Sequence, residues 1–247
     1  VVGSVFQQRG HRVRMEWGGE GVTALAGRCA VLVVVDVLSF ATSVDLALGR
    51  GGRVLPLPWR DERAAEAARA AGAVLAGEQR WTLRPSSLVD LPRGTLLALP
   101  SPNGATLCAR AAGGGCRVLV GCLRNARAVA AAAVRLAGGG PIGVIAAGER
   151  WGVVAGPLRP GIEDLLGAGA VISALVEFGH AGLSPEAEVA AIAYRGVADG
   201  DLVAVLAGCC SGRELIAQGD GDDVVLAAEH GVSAVAPVLV DGVLEPA

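Results

Sequence analysis

An α/β fold built on a mainly parallel sheet is the prediction of this 247-residue sequence. Short β-branched apolar runs alternate with alanine-rich stretches of helical character, the rhythm of strand–helix–strand crossovers. The runs are continuously apolar rather than alternating, as expected of strands covered on both faces. Polar residues gather directly after the runs, where open parallel sheets bind their ligands.

Taken in order, residues 13–17 (VRMEW) alternate in polarity and predict an edge strand within a lead-in of residues 1–25. Strands are expected at 30–36, 53–57, 73–78, 95–101, 117–121 and 142–147, and helices at 41–49, 61–71, 104–112 and 124–137. Beyond residue 148 the pattern turns helical, with a long helix over 162–178 and another at 220–230. Ser184-Pro185-Glu186 predicts an N-cap followed by proline in the first helical position, and Ser211 to Glu214 a capping box. A last apolar run, 234–240, returns as a strand. No linker, repeat or low-complexity tract interrupts the chain, so residues 1–247 are read as one domain.

Hydrophobic residues make up 52 % and aromatic ones only 3 %, so Val, Leu and Ala must fill the core. The net charge of −3 offers no general attraction for nucleic acid. Six cysteines (29, 108, 116, 122, 209 and 210) show no metal-ligand spacing and no CxxC pair. They are expected as reduced thiols of a cytoplasmic protein, with Cys209-Cys210 a buried pair of small residues. No signal pattern and no membrane-length apolar run is visible. The expected partners are a small anionic phosphorylated substrate and, in a homo-oligomer, further copies of the chain.

Absences narrow the chemistry. The chain has no lysine, which excludes a Walker P-loop and a lysine Schiff base. Asp36 is followed by Val-Leu rather than completing a DxD motif, and no cysteine begins a Cys-x5-Arg motif. His11, His180 and His230 lie away from the strand ends, with His230 read as following a helix end. The familiar covalent phosphoenzymes are thus not signalled. The GAGAVI stretch at 167–172 falls inside a helix and is read as close helix packing, not a dinucleotide fingerprint.

After the first run come Asp36, Ser39 and Thr42; after the third, Glu78 and Arg80; after the fourth, Ser101, Asn103 and Gly104. Arg124 and Asn125 follow the fifth run, Glu149 and Arg150 the sixth, and Glu163-Asp164 opens the long helix. The only two asparagines of the chain both stand just before predicted helices. Asn103 before glycine suits a turn or a cap as well as a ligand contact, and Asp36 suits a helix start as well as a site. Two or more carboxylates with room for water suit Mg²⁺, while arginines and helix N-termini suit phosphate. Metal-assisted phosphoryl chemistry fits the mixture. A non-catalytic anion- or nucleotide-binding protein would use the same crevice.

The motifs VVVDVLSFATSV (33–44), GEQR (77–80), SPNGATL (101–107), GCLRNARAV (121–129), AAGE (146–149), IEDLLGAGAVI (162–172) and SGRELIAQGDGDDV (211–224), in that order, resemble those of the 2-phosphosulfolactate phosphatase family. The resemblance implies a three-layer α/β/α fold and Mg²⁺-dependent hydrolysis of (R)-2-phospho-3-sulfolactate, a step of coenzyme M biosynthesis or sulfolactate formation. Ser39 stands where many members carry Arg, and the segment 150–161 is longer and more apolar than the family's usual approach to Glu163-Asp164. A phosphorylated hydroxy acid without the sulfonate is the alternative substrate.

The resulting assignment makes Asp36 the first Mg²⁺ ligand, with Glu163 and Asp164 completing the metal site or activating water. Glu149 is a further candidate base. Ser101, Asn103, Asn125 and the Gly104 amide are expected on phosphoryl oxygens. Arg80, Arg124 and Arg150 are expected on the other anionic groups, with Ser39 and Thr42 beside them.

Overall fold

The computed structural model describes residues 2–78, 80–152 and 156–247; Gln79 of the GEQR motif and residues 153–155 of the apolar segment lie outside the described residues. The strands are β1 (Val13–Trp17), β2 (Val31–Val35), β3 (Arg53–Leu57), β4 (Val74–Leu75), β5 (Leu96–Pro100), β6 (Arg117–Gly121), β7 (Ile142–Ala146), β8 (Glu149–Arg150), β9 (Leu158–Arg159), β10 (Pro237–Val240) and β11 (Val243–Pro246). Among the described residues, nine of them form one sheet in the order β1-β7-β2-β6-β10-β11-β3-β5-β4, and β8 and β9 pair separately. β2 (VLVVV) is buried at every position, which is why its sequence does not alternate.

β1, β7, β2 and β6 run parallel, and so do β3, β5 and β4. The hairpin β10–β11 stands between these blocks. It pairs antiparallel with β6 where Val238 faces Leu119, and with β3 where Leu244 faces Val54. The second block therefore points opposite to the first.

The helices are α1 (Gly18–Leu25), α2 (Phe40–Gly49), α3 (Glu62–Ala70), α4 (Gly104–Ala112), α5 (Ala126–Ala137), α6 (Ile162–Glu177), α7 (Pro185–Ala198), α8 (Leu202–Gly208), α9 (Cys210–Ala217) and α10 (Gly221–Ala228). α5 lies on β2, β6 and β7 with α6 beside it, while α4 lies on β2 and β6 from the other side with α1 beside it. This is the three-layer α/β/α arrangement. Gly104, just past β5, packs against Phe40 and Asp36, just past β2. In a flat sheet five strand spacings would hold β5 about 24 Å from β2. The sheet is therefore strongly curled, and α2 fills the fold by touching β3, β6, β10 and β11.

Local chemistry accounts for the helix ends. Ser184 accepts from the Ala187 amide ahead of Pro185, as its sequence predicts, and Asp61 and Asp201 cap α3 and α8. Gly169 explains the GAGAVI stretch: a Cβ there would fall 2.1 Å from the Ala190 carbonyl oxygen, so the glycine lets α6 close on α7.

Several expectations need correction. Only Val74–Leu75 of the 73–78 run pairs, because Gly77 takes a positive φ and turns the chain away. Ser211 does not cap a helix: Cys209 holds that position, and the Ser211 hydroxyl is turned to Glu163. The Cys209-Cys210 pair is not buried together; Cys209 is half-buried and Cys210 exposed. Among the described residues no helix is long and apolar enough to cross a membrane.

Candidate active site

Asp36 follows the last residue of β2 and is buried. Its Oδ1 accepts from the Phe40 amide at 3.3 Å, and the Gly104 amide lies close enough to favour the ionised carboxylate. A Cβ on Gly104 would lie 2.2 Å from the Phe40 ring and 2.7 Å from Asp36 Oδ2, so only glycine permits this junction of the two blocks. Burial first, then repulsion from Glu149 and Glu163, pushes the Asp36 carboxyl up to about 7, against the lowering effect of the two amides.

The first turn of α6 brings Glu163 and Asp164 to the same place, both buried. Asp164 accepts from the Val37 amide through Oδ1 and the Gly148 amide through Oδ2, each at 2.8 Å. It thereby ties the loop after β2 to the loop after β7. Burial, then Asp36 and Glu163, raise its carboxyl well above the ordinary range. Glu163 accepts from the Ser211 hydroxyl at 2.6 Å and from Cys209 Sγ at 3.4 Å. Arg159 Nη2 donates to Ser211 Oγ at 3.1 Å, so β9, α9 and α6 meet at this point.

Glu149 is half-buried; its carboxyl is raised mainly by burial and secondarily by Glu163, against the lowering effect of the nearby Asn103 side-chain amide. Asn103 occupies the N-cap position of α4 yet makes no cap bond, which leaves the first-turn amides of α4 uncapped by it. Glu149 and Asn103 open onto a cavity of about 400 Å³ lined also by Thr106, Arg110, Gly148 and Arg150. None of the four acids, Asp36, Glu149, Glu163 or Asp164, forms an ion pair among the described residues.

The other sequence-derived candidates divide. Ser101 is buried beside Asn103, its amide donating to the Leu57 carbonyl. Ser39 is half-buried ahead of α2 and makes no cap bond. Arg150 lines the cavity and donates to the Gly156 carbonyl at 2.9 Å. The structure does not bring the rest into the cluster. Thr42 is fully buried and donates to the Val37 carbonyl. Arg80 pairs with Asp90 and lies over Trp81 on the surface. Arg124 is bound to Asp45, Glu229 and the Leu226 carbonyl, and Asn125 Oδ1 accepts from the Cys122 amide at 2.9 Å.

Arg110, Arg159, Ser211 and the Gly18-Gly19-Glu20 stretch at the cavity lip are additions. β1 runs parallel to β7, so Gly18 to Glu20 stand just past a parallel strand, as the other site residues do. Placing β1 in the parallel block would have found them by the same strand-end rule. Arg159 and Ser211 carry no such signal, being brought in by the hairpin β8–β9 and by α9. Among the described residues no three His, Cys, Asp or Glu side chains converge as a ready metal cage. Asp164 and Glu163 hold backbone amides, a hydroxyl and a thiol, and Asp36 holds the Phe40 amide; of the four acids, Glu149 is the one that lines the cavity.

An α/β enzyme of the anion-handling hydrolase class is what these features define: desolvated acids at strand ends, a helix start beside them and arginines around the opening. A family model for 2-phosphosulpholactate phosphatase matches residues 22–242. A relative from Methanothermobacter thermautotrophicus described as 2-phosphosulfolactate phosphatase is 31 % identical over 219 residues, covering 86 % of this chain and 88 % of the relative. The chain belongs to the 2-phosphosulfolactate phosphatase family, a family of phosphoric monoester hydrolases, as its seven motifs suggest.

Proposed function

We propose that the protein hydrolyses the phosphate ester of 2-phosphosulfolactate with the help of Mg²⁺. The observation that carries the reading is the acid cluster itself. Its members raise one another's proton affinity and form no ion pair among the described residues, Arg159 only lowering Glu149 from beyond contact, at the edge of a cavity large enough for a small ester. Such a cluster calls for a cation. Mg²⁺ keeps several waters and takes one or two carboxylates, so the missing three-acid cage is no obstacle. Asp36 would hold it, a narrower set than Asp36, Glu163 and Asp164, with Glu149 left free at the cavity. Bound there, Mg²⁺ would offset charge on the phosphoryl group and acidify water.

The chain's own residues do the remainder. Asp164 fixes the two loops through the Val37 and Gly148 amides, and Ser211 holds Glu163. The first-turn amides of α4 and the Asn103 side chain offer donors to phosphoryl oxygens. Glu149, with a raised carboxyl facing the cavity, takes the proton of the attacking water. The water oxygen joins phosphorus, the bond from phosphorus to the C2 oxygen breaks, and the proton taken by Glu149 passes through solvent to that oxygen, so that sulfolactate and phosphate leave and Glu149 is restored. Six free thiols suit a cytoplasmic location.

Phosphate release from 2-phosphosulfolactate, phospholactate and an aryl phosphate, with Mg²⁺ and with EDTA, tests this. Metal-dependent release that favours the sulfonated ester is expected, together with a rise in melting temperature on adding Mg²⁺ to metal-free protein. Release unaffected by EDTA would remove the metal. No release from any ester by folded protein would leave an anion-binding protein.

A further inference from the structure

One cation in the cavity is left without work by the cluster. Arg110 follows Asn103 by seven residues, two turns along the same face of α4, and Thr106 between them lines the same cavity. Side chains on a helix lean toward its N-terminus, so Arg110 reaches back over the Thr106 turn toward Asn103 and Glu149. Its guanidinium rests against the start of α1: a Cβ added to Gly19 would fall 2.1 Å from Arg110 Nη1. Gly19 is not in the left-handed region, so its backbone would accept any residue. The room it leaves for the guanidinium is what the glycine supplies.

The other arginines brought forward by the sequence or the site each have a protein partner. Arg124 and Arg80 are in ion pairs outside the cavity, Arg159 is bonded to Ser211, and Arg150 to the Gly156 carbonyl. Arg110 makes no ion pair among the described residues.

We propose that Arg110 binds the sulfonate of the substrate, resting in the space over Gly19, and so sets the preference for the sulfonated ester over phospholactate. The inference rests on the reading given under Proposed function. The substrate carboxylate hangs on the carbon that bears the phosphate ester, and Arg150, next to Glu149 and with donors left beyond its bond to the Gly156 carbonyl, is placed to take it. The sulfonate is one carbon farther out, where Arg110 lies two turns from Asn103. A guanidinium presents its N–H groups as a planar fork, which suits an oxyanion with several equivalent oxygens. Glu20, the next residue of α1, also lines the cavity; it and Arg110 are both exposed, so solvent and salt screen the plain charge of each, and the preference rests on the directed N–H groups of the guanidinium.

Steady-state kinetics of Arg110→Gln and Gly19→Ala with both esters test the proposal. For Arg110→Gln, KM for 2-phosphosulfolactate should rise about 30- to 100-fold, with kcat within about threefold. The loss in kcat/KM on phospholactate should be at least about tenfold smaller. Gly19→Ala displaces the flexible end of Arg110 and should shift the preference the same way by about three- to tenfold, and Arg110→Lys should restore part of it. Equal losses on both esters, or an unchanged preference, would overturn the assignment. So would wild-type protein that hydrolyses both esters equally well, which leaves the phosphatase standing. Wild-type protein that releases phosphate from neither ester removes the underlying reading instead.

Discussion

Asp36, just ahead of α2, and Asp45, within it, are both buried acids, and their surroundings are opposite. Asp45 receives Arg124 Nε at 2.8 Å and the Ser233 hydroxyl at 2.5 Å, and Arg124 goes on to Glu229. Burial still raises its carboxyl, but the hydroxyl and the guanidinium work against that. Asp36 has two backbone amides, three acidic neighbours and no base. A buried acid that finds its cation within the fold serves structure. On the function proposed above, one surrounded by further acids is held ready for a cation from outside.

Exchanging each acid for its amide should separate the two roles most sharply. Asp36→Asn is expected to lower kcat by at least about 10³-fold, while its melting temperature stays level or rises. Asp45→Asn should keep activity per folded molecule and lose about 3 kcal/mol in urea unfolding, because Arg124 is left partly unpaired. If Asp45→Asn lost activity without stability, the division between the two ends of α2 would be wrong.

Acidity sharpens the comparison further. Asp36 has a folded-state value of about 7 against an ordinary 3.8, so the folded protein holds the extra proton in between. Its contribution to stability is complete below about pH 4 and is lost as pH rises through 7, on the order of 4 kcal/mol at most. Asp164 and Glu149 act in the same direction. Metal-free protein should therefore melt several degrees lower at pH 8 than at pH 5, and Asp36→Asn should flatten most of the slope. A flat profile for the wild type would mean that water reaches the cluster.

The two asparagines give the smallest contrast. Asn103→Ala should reduce kcat/KM about tenfold with little change in unfolding. Asn125→Ala should leave kinetics alone and cost about 1–3 kcal/mol, since the buried Cys122 amide loses its acceptor.

These paired residues show how far the sequence could be read. The strands, most helices and the clustering of Asp36, Asn103, Glu149, Glu163 and Asp164 follow from apolar runs and the residues that end them. Asn103 and Asn125 have the same local signature, a strand end before a helix, and nothing nearby tells them apart. The difference comes from which strand each follows: β5 is folded back toward β2 by the curl of the sheet, whereas the turn after β6 is closed over by residues 226–233. Arg80 and Arg124 were legible as cations near strand ends, but their partners Asp90, Asp45 and Glu229 are set by tertiary contacts. Arg110 escaped notice because it enters the cavity from the second turn of a helix.

The hairpin β10–β11 is also a clasp. Neither parallel block pairs directly with the other in the sheet, and residues 237–246 join them edge to edge through β6 and β3. One bridge on each side, Val238 to Leu119 and Leu244 to Val54, carries that joint. A break in the clasp would part Asp36 from the turn that carries Asn103 and Gly104, although neither bridge includes them.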